Sequence, residues 1–225
     1  MTEVKKLQIS DFKLALFDLD GTLIKFAKEF LFSQTRAVYE KLSMEEASLE
    51  TLEDYFSKFD FFGFVEDSRR AEFERVYWEL FNWADYPEPE VLPGTLETLS
   101  WLKESGVPSV IVTSRDEKPE GIAERLSGTG IENFIVHIQS RSDLEKEWHD
   151  KRPQIETVCK KFEVEPMECL FAGDVPPDIE SAKACGVGLK IALLSGGIRK
   201  EVLEVTGPDW CLDSLAQIPQ KLSSG

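Results

Sequence analysis

Residues 14–22 read LALFDLDGT. Four apolar residues run straight into Asp18 and Asp20, with Gly21 and Thr22 behind them. Two carboxylates one residue apart repel each other, and the end of a strand gains nothing structural from holding both. A chemical role accounts for them better, and the rest of the chain supplies the companions such a role needs.

Working outward, the same kind of apolar run recurs at 108–113 (PSVIVT), 134–138 (FIVHI), 169–172 (CLFA) and 189–194 (LKIALL), and the first run itself spans 12–17 (FKLALF). None alternates polar with apolar, the mark of strands covered on both faces, as in a parallel sheet. Helical segments are predicted at 94–105, 117–127, 153–163 and 176–185, the first and last stopping before Gly106 and Gly186. Strands alternating with helices predict an α/β fold with a doubly wound parallel sheet.

One interval breaks this rhythm. Between the first and second strands lie far more residues than a single crossover helix needs, and 26–90 reads as helical throughout. Half of the chain's 24 aromatic residues fall between Tyr55 and Tyr86, enough for a core of its own, and Pro87, Pro89 and Pro93 mark the return. The expected organisation is a Rossmann-like core at 1–24 and 92–225 with a helical cap subdomain at 25–91. The aromatic cluster is read as cap core rather than as a ligand cage, and His137 as a core histidine.

Bulk properties narrow the function. A formal charge of −16 repels nucleic acid and anionic membranes, so neither is expected as a partner. It also repels a phosphorylated substrate unless a cation sits in the site. The four cysteines include no C-x-x-C pair, which argues against zinc and for small buried apolar residues. With no secretory h-region and no apolar run of about 20 residues, a soluble cytoplasmic protein is expected, monomeric or homodimeric. The chain has no G-x-x-x-x-G-K-[ST] and no G-x-S-x-G, so neither a P-loop nucleotidase nor a serine hydrolase is indicated.

Ligands of open α/β sheets bind at the carboxyl ends of the strands. There the sequence places Asp18 and Asp20, then Thr113 and Ser114, then Asp174 with Asp178 four residues on; Lys151 precedes a helix that starts at the same edge. Alone, each has a plain structural reading: a solvated turn for Asp18 and Asp20, turn caps for Thr113 and Ser114, a helix N-cap for Asp174 and Asp178. "SGG" at 195–197 is read as a turn.

In this order, DLDGT at 18–22, VTS at 112–114, a basic residue near 151 and GDVPPD at 173–178 resemble the haloacid dehalogenase superfamily, in its phosphatase branch with a helical cap after the first motif; phosphoglycolate phosphatases share the layout. The resemblance implies that Asp18 attacks phosphorus to form an aspartyl-phosphate and that Asp20 moves protons. It implies that Asp18, the backbone carbonyl of Asp20, and Asp174 hold Mg²⁺, with Asp178 behind them. Thr113, Ser114 and Lys151 would bind the phosphoryl group; a shift of one residue nominates Arg152 instead of Lys151. An acid at position 20 favours phosphoryl transfer over dehalogenation, since a leaving halide needs no proton. The resemblance implies Mg²⁺-dependent hydrolysis of a small phosphate monoester, with a phosphoglycolate-like or sugar-phosphate-like substrate expected. The alternatives are a phosphomutase of the same superfamily and a non-catalytic phospho-ligand binding protein.

Overall fold

The computed structural model describes residues 7–143 and 150–223. Six strands form one parallel sheet: β1 (Leu14–Phe17), β2 (Ser109–Val112), β3 (Ile135–Gln139), β4 (Cys169–Gly173), β5 (Leu189–Leu193) and β6 (Trp210–Leu212), in the order β3-β2-β1-β4-β5-β6. β1 lies between β2 and β4, with Phe17 opposite Ile111 on one side and Ala172 on the other. The chain winds outward from β1 to β3 and then returns across the sheet to β4. The seam between β1 and β4 is the topological switch point, where such sheets open a crevice.

The unbroken apolar strands are explained by two cores. Leu14 and Leu16 point into one, with Val110, Val112 and Phe171; Ala15 and Phe17 point into the other, with Ile111, Leu170 and Ala172. Successive side chains leave a strand on opposite faces, and both faces of β1 are sealed. The first core is roofed by α6 (Arg152–Phe162) and α7 (Pro176–Ala184). The second is roofed by α4 (Thr95–Glu104), α5 (Pro119–Leu126) and α9 (Gln217–Ser223). Burying one such Leu or Phe contributes about 1.5–3 kcal/mol, so β1 is held rigidly and so are the residues just after it.

Between β1 and α4 lie α1 (Lys28–Leu42), α2 (Leu49–Ser57) and α3 (Asp67–Leu80). Val38 and Tyr39 of α1 pack on Phe73, Val76 and Tyr77 of α3 in a separate cluster. The chain leaves and returns side by side: Ile24 and Val91 form an antiparallel bridge, and Lys25 N–H donates to Glu90 O at 2.8 Å. α2, capped by the Ser48 hydroxyl, turns toward the sheet domain instead. Its Phe56 packs with Ile179, Ala192, Ile198 and Leu203, its Asp54 pairs with Arg199, and Arg199 N–H donates to Ser57 O at 2.8 Å.

Among the described residues, the strand β6 and the α-helices α8 (Lys200–Glu204) and α9 lie outside the sequence reading. His137 is a second departure. It sits half-buried on the edge strand β3, its ring 6.1 Å from Phe162, rather than in the core. Cys159 and Cys169 are buried as expected, whereas Cys185 and Cys211 are only half-buried.

Candidate active site

The ladder between β1 and β4 runs on for one more bond, Asp18 N–H to Ala172 O at 2.9 Å. This fixes Asp18 beside the end of β4, next to Asp174. One oxygen from each of Asp18, Asp174 and Asp178 lies within 4.8 Å of the others, and all three residues are buried. Lys151, immediately before α6 and only 2 % exposed, closes the group. Its ammonium pairs with Asp18 Oδ1 and stands 2.6 Å from Asp178 Oδ1. Its own N–H donates to Ser181 Oγ at 3.1 Å, which ties it to α7.

Local sequence explains the tight fit. Gly21 adopts φ +84°, and a Cβ there would meet Asp174 Oδ2 at 2.2 Å. A Cβ on Gly196 would meet the same oxygen at 1.8 Å. Thr22 Oγ1 donates to Asp174 Oδ1 at 2.9 Å, and Ser195 Oγ donates to Gly21 O at 2.6 Å. The 195–197 stretch is therefore more than a turn: it brings backbone against the Asp174 carboxylate, where no side chain fits. Pro176 and Pro177 open α7, and Asp178 Oδ2 accepts from the N–H groups of Asp174 (3.0 Å) and Val175 (3.2 Å). Asp178 thus caps the helix and faces Lys151 at once.

The charges do not balance without help. Three buried carboxylates face one ammonium. Burial, reinforced by Asp178 and Asp20 and opposed by Lys151, pushes Asp18 up to about 7. Burial with Asp18 and Asp178 nearby also drives Asp174 well above the ordinary range. Burial works against the Lys151 charge, but Asp178 and Asp18 outweigh it and its pKa rises. A divalent cation would supply the missing positive charge, and a cluster of hard carboxylate oxygens is the donor set for one. Asp178 already spends both oxygens on Lys151 and backbone N–H groups, so Asp18 and Asp174 are the better placed ligands.

Asp20 is held differently. Both its oxygens accept from Arg115, each at 2.7 Å. Arg115 is 4 % exposed and also donates to Glu117 at 3.1 Å. Its guanidinium lies 4.9 Å from the Trp83 ring centroid and 4.8 Å from that of Tyr86, within cation–π range of both. Arg125 completes the chain, pairing with Glu117 at 3.0 Å and donating to the carbonyls of Trp83 and Tyr86. Sequence reading missed Arg115. The signal available was a charged residue directly after Thr113-Ser114, at a strand end facing the carboxylates.

Thr113 is buried, and its Oγ1 accepts from Arg115 N–H at 3.2 Å. Thr113 and Ser114 line the same cavity as Asp18, Asp20 and Lys151. Arg152 does not. It is exposed and paired with Asp150 at 2.7 Å, because as the first residue of α6 it projects away from the cluster that its neighbour enters. Of the two candidate bases, Lys151 faces the carboxylates and Arg152 does not. Above the carboxylates the cavity encloses about 560 Å³ and is walled by side chains from the α1–α3 segment.

Known proteins resemble this chain in sequence and fold. The model of the haloacid dehalogenase-like hydrolases matches residues 15–192. A phosphoglycolate phosphatase from Aquifex aeolicus is 30 % identical over 193 residues, covering 80 % of this chain and 84 % of that protein. A phosphoglycolate phosphatase from Vibrio parahaemolyticus is 24 % identical over 221 residues, covering 92 % and 95 %. Among solved structures, a haloacid dehalogenase-like family hydrolase from Streptococcus pneumoniae superposes with a TM-score of 0.73 at 18 % identity, covering 94 % of this chain and 98 % of that one. With the family model spanning all six motif carboxylates and hydroxyls from Asp18 to Asp178, the chain belongs to the haloacid dehalogenase-like hydrolases.

Proposed function

We propose that the protein hydrolyses a phosphate monoester by way of an aspartyl-phosphate at Asp18. The observation that carries this reading is the buried Asp18 at the floor of the cavity, set against the Lys151 ammonium and within 4.8 Å of the Asp174 and Asp178 oxygens. In the first step Asp18 bonds to phosphorus while the ester P–O bond breaks, and the leaving oxygen takes a proton from Asp20. In the second step water bonds to phosphorus and the P–O bond to Asp18 breaks. The water's proton goes to Asp20, and inorganic phosphate departs.

Lys151 offsets charge on the transferring group, and the Thr113 hydroxyl, with Ser114 beside it, donates to a phosphoryl oxygen. Asp178 holds Lys151 in place and anchors the backbone of Asp174. Asp18, Asp174 and the Asp20 carbonyl would hold Mg²⁺. When bound, the ion neutralises the carboxylates, lets Asp18 ionise as a nucleophile must, and draws the phosphate into an acidic protein. Arg115 orients Asp20. Because both Asp20 oxygens accept from Arg115, one has to be released before Asp20 carries a proton to the leaving group. Residues 25–91 act as a cap that excludes bulk water during the first transfer.

The test is phosphate release from a panel of esters with Mg²⁺, with EDTA, and with Asp18→Asn. Release should need the metal, and the variant should lose about 10³-fold or more. Turnover undiminished in Asp18→Asn would refute the mechanism.

A further inference from the structure

The cavity over Asp18 differs from what a small acidic or sugar-like ester requires. At about 560 Å³ it falls within the range of about 300–1,000 Å³ that takes drug-sized ligands. Its floor carries the polar groups: Asp18, Asp20, Thr113, Ser114 and Lys151. Its walls are rings. Phe26, Phe32, Phe59, Phe61 and Phe62 all line it, and each is only half-buried. Phe73 closes the α1–α3 packing away from the cavity, and buried Tyr77 belongs to that packing while also reaching the cavity wall. Phe26, Phe32, Phe59, Phe61 and Phe62 pack one side against buried clusters and leave the other side open to the cavity.

The charges lining the cavity point the same way. Among the described residues three cations border it: Lys151, Arg115 and Arg70. Lys151 is paired with Asp18 and Asp178. Arg115 is paired with Asp20 and Glu117. Arg70 donates to the carbonyls of Phe62 (3.2 Å) and Val65 (3.1 Å) and pairs with Asp67 at 2.8 Å. Every lining cation is therefore engaged, whereas Asp60 and Glu74 add negative charge to the wall. A second anionic group on the substrate, the carboxylate of phosphoglycolate or the distal phosphate of a sugar bisphosphate, would enter an apolar, acid-edged space whose described cations are all engaged, at a desolvation cost. An aromatic leaving group would instead stack on the rings and displace water.

Resting on the phosphatase reading above, we propose that the substrate is the phosphate monoester of a bulky, uncharged alcohol with an aromatic or extended apolar body, rather than a phosphorylated small acid or sugar bisphosphate. The body lies among Phe26, Phe32, Phe59, Phe61 and Phe62 while the phosphoryl group sits over Asp18.

The experiment compares kcat/KM for esters of primary alcohols, so that leaving-group chemistry changes little: ethyl phosphate, 2-phenylethyl phosphate and 2-(1-naphthyl)ethyl phosphate, beside 2-phosphoglycolate and glucose 1,6-bisphosphate. Acetyl phosphate reports the phosphoryl-transfer chemistry alone, since its leaving group needs neither an apolar grip nor a proton. The arylalkyl esters should exceed ethyl phosphate and both anionic substrates by about tenfold to a hundredfold. In Phe61→Ala and in Phe32→Ala the ratio of naphthylethyl to ethyl phosphate should fall toward one. Equal rates for ethyl and arylalkyl esters, or a preference for phosphoglycolate or the bisphosphate, with acetyl phosphate turned over, would overturn this inference and leave the phosphatase reading standing. No turnover of any compound, acetyl phosphate included, would overturn both. The wild-type panel decides the matter even if a variant fails to fold.

Discussion

Arg115 shows how much one side chain can organise. Its guanidinium grips both oxygens of Asp20 at 2.7 Å, and it rests against the rings of Trp83 and Tyr86, which contact each other. Burial works against its charge, yet Asp20 outweighs that cost and its pKa rises, so it stays a cation throughout the working range. If it positions Asp20 for proton transfer, its loss should depend on the leaving group. In Arg115→Met, kcat/KM for an alkyl ester, which reports only the first transfer, should fall by about 10²-fold, the usual worth of a positioned general acid. Acetyl phosphate, whose leaving acetate needs no proton, should be affected far less. An equal fall for both substrates would make Arg115 a structural residue only.

At the scale of elements, the site depends on loops that bring bare backbone to carboxylates. Gly196, just after β5, leaves no room for a Cβ beside Asp174 Oδ2. Gly196→Ala is therefore expected to displace that carboxylate and weaken Mg²⁺ binding by at least about tenfold, with a stability loss of about 1–3 kcal/mol. Isothermal titration with Mg²⁺ reads the first and chemical denaturation the second; unchanged Mg²⁺ affinity would count against Asp174 as a ligand.

Elements also show how much was legible in the sequence. β1, β2, β4 and β5 stand out as unbroken apolar runs because both of their faces are sealed. The carboxylates and hydroxyls are then found at the residues just past the C-terminal end of each strand. β6 escapes, being three residues long, too short for any period to show. Arg115 escapes because its meaning lies in partners distant in sequence: Asp20 is 95 residues away, and Trp83 and Tyr86 lie on another segment. The choice between Lys151 and Arg152 needs the helix start. Adjacent residues there point in different directions, and only Lys151 enters the cluster.

For the molecule as a whole, the acidic cluster couples metal binding to stability. Asp18 rises from 3.8 to about 7 and Asp174 moves the same way. A raised folded-state pKa means the folded protein prefers the protonated acid. Its stability is thus intact below the unfolded value and is lost as pH rises through the folded one. Metal-stripped protein should therefore lose melting temperature as pH rises from about 4, the unfolded value, to about 7, the folded value of Asp18. Mg²⁺ should raise the melting temperature most at the upper end, where the carboxylates are ionised and repel one another. A Mg²⁺ effect that is the same across this range would contradict the coupling. Helices α1–α3 bear on the same question of scale. α2 is bound to the sheet domain through Phe56, Asp54 and Ser57, so the aromatic wall is held over the carboxylates rather than left to drift.

The central claim is that Asp18 carries the phosphoryl group. Its most direct test is to quench the enzyme in acid during turnover with Mg²⁺, reduce with borohydride, and map the product by mass spectrometry. An aspartyl-phosphate at Asp18 would be reduced to homoserine at position 18, in wild type only and not with EDTA or in Asp18→Asn. Conversion at another residue, or rapid turnover with none at position 18, would contradict the account.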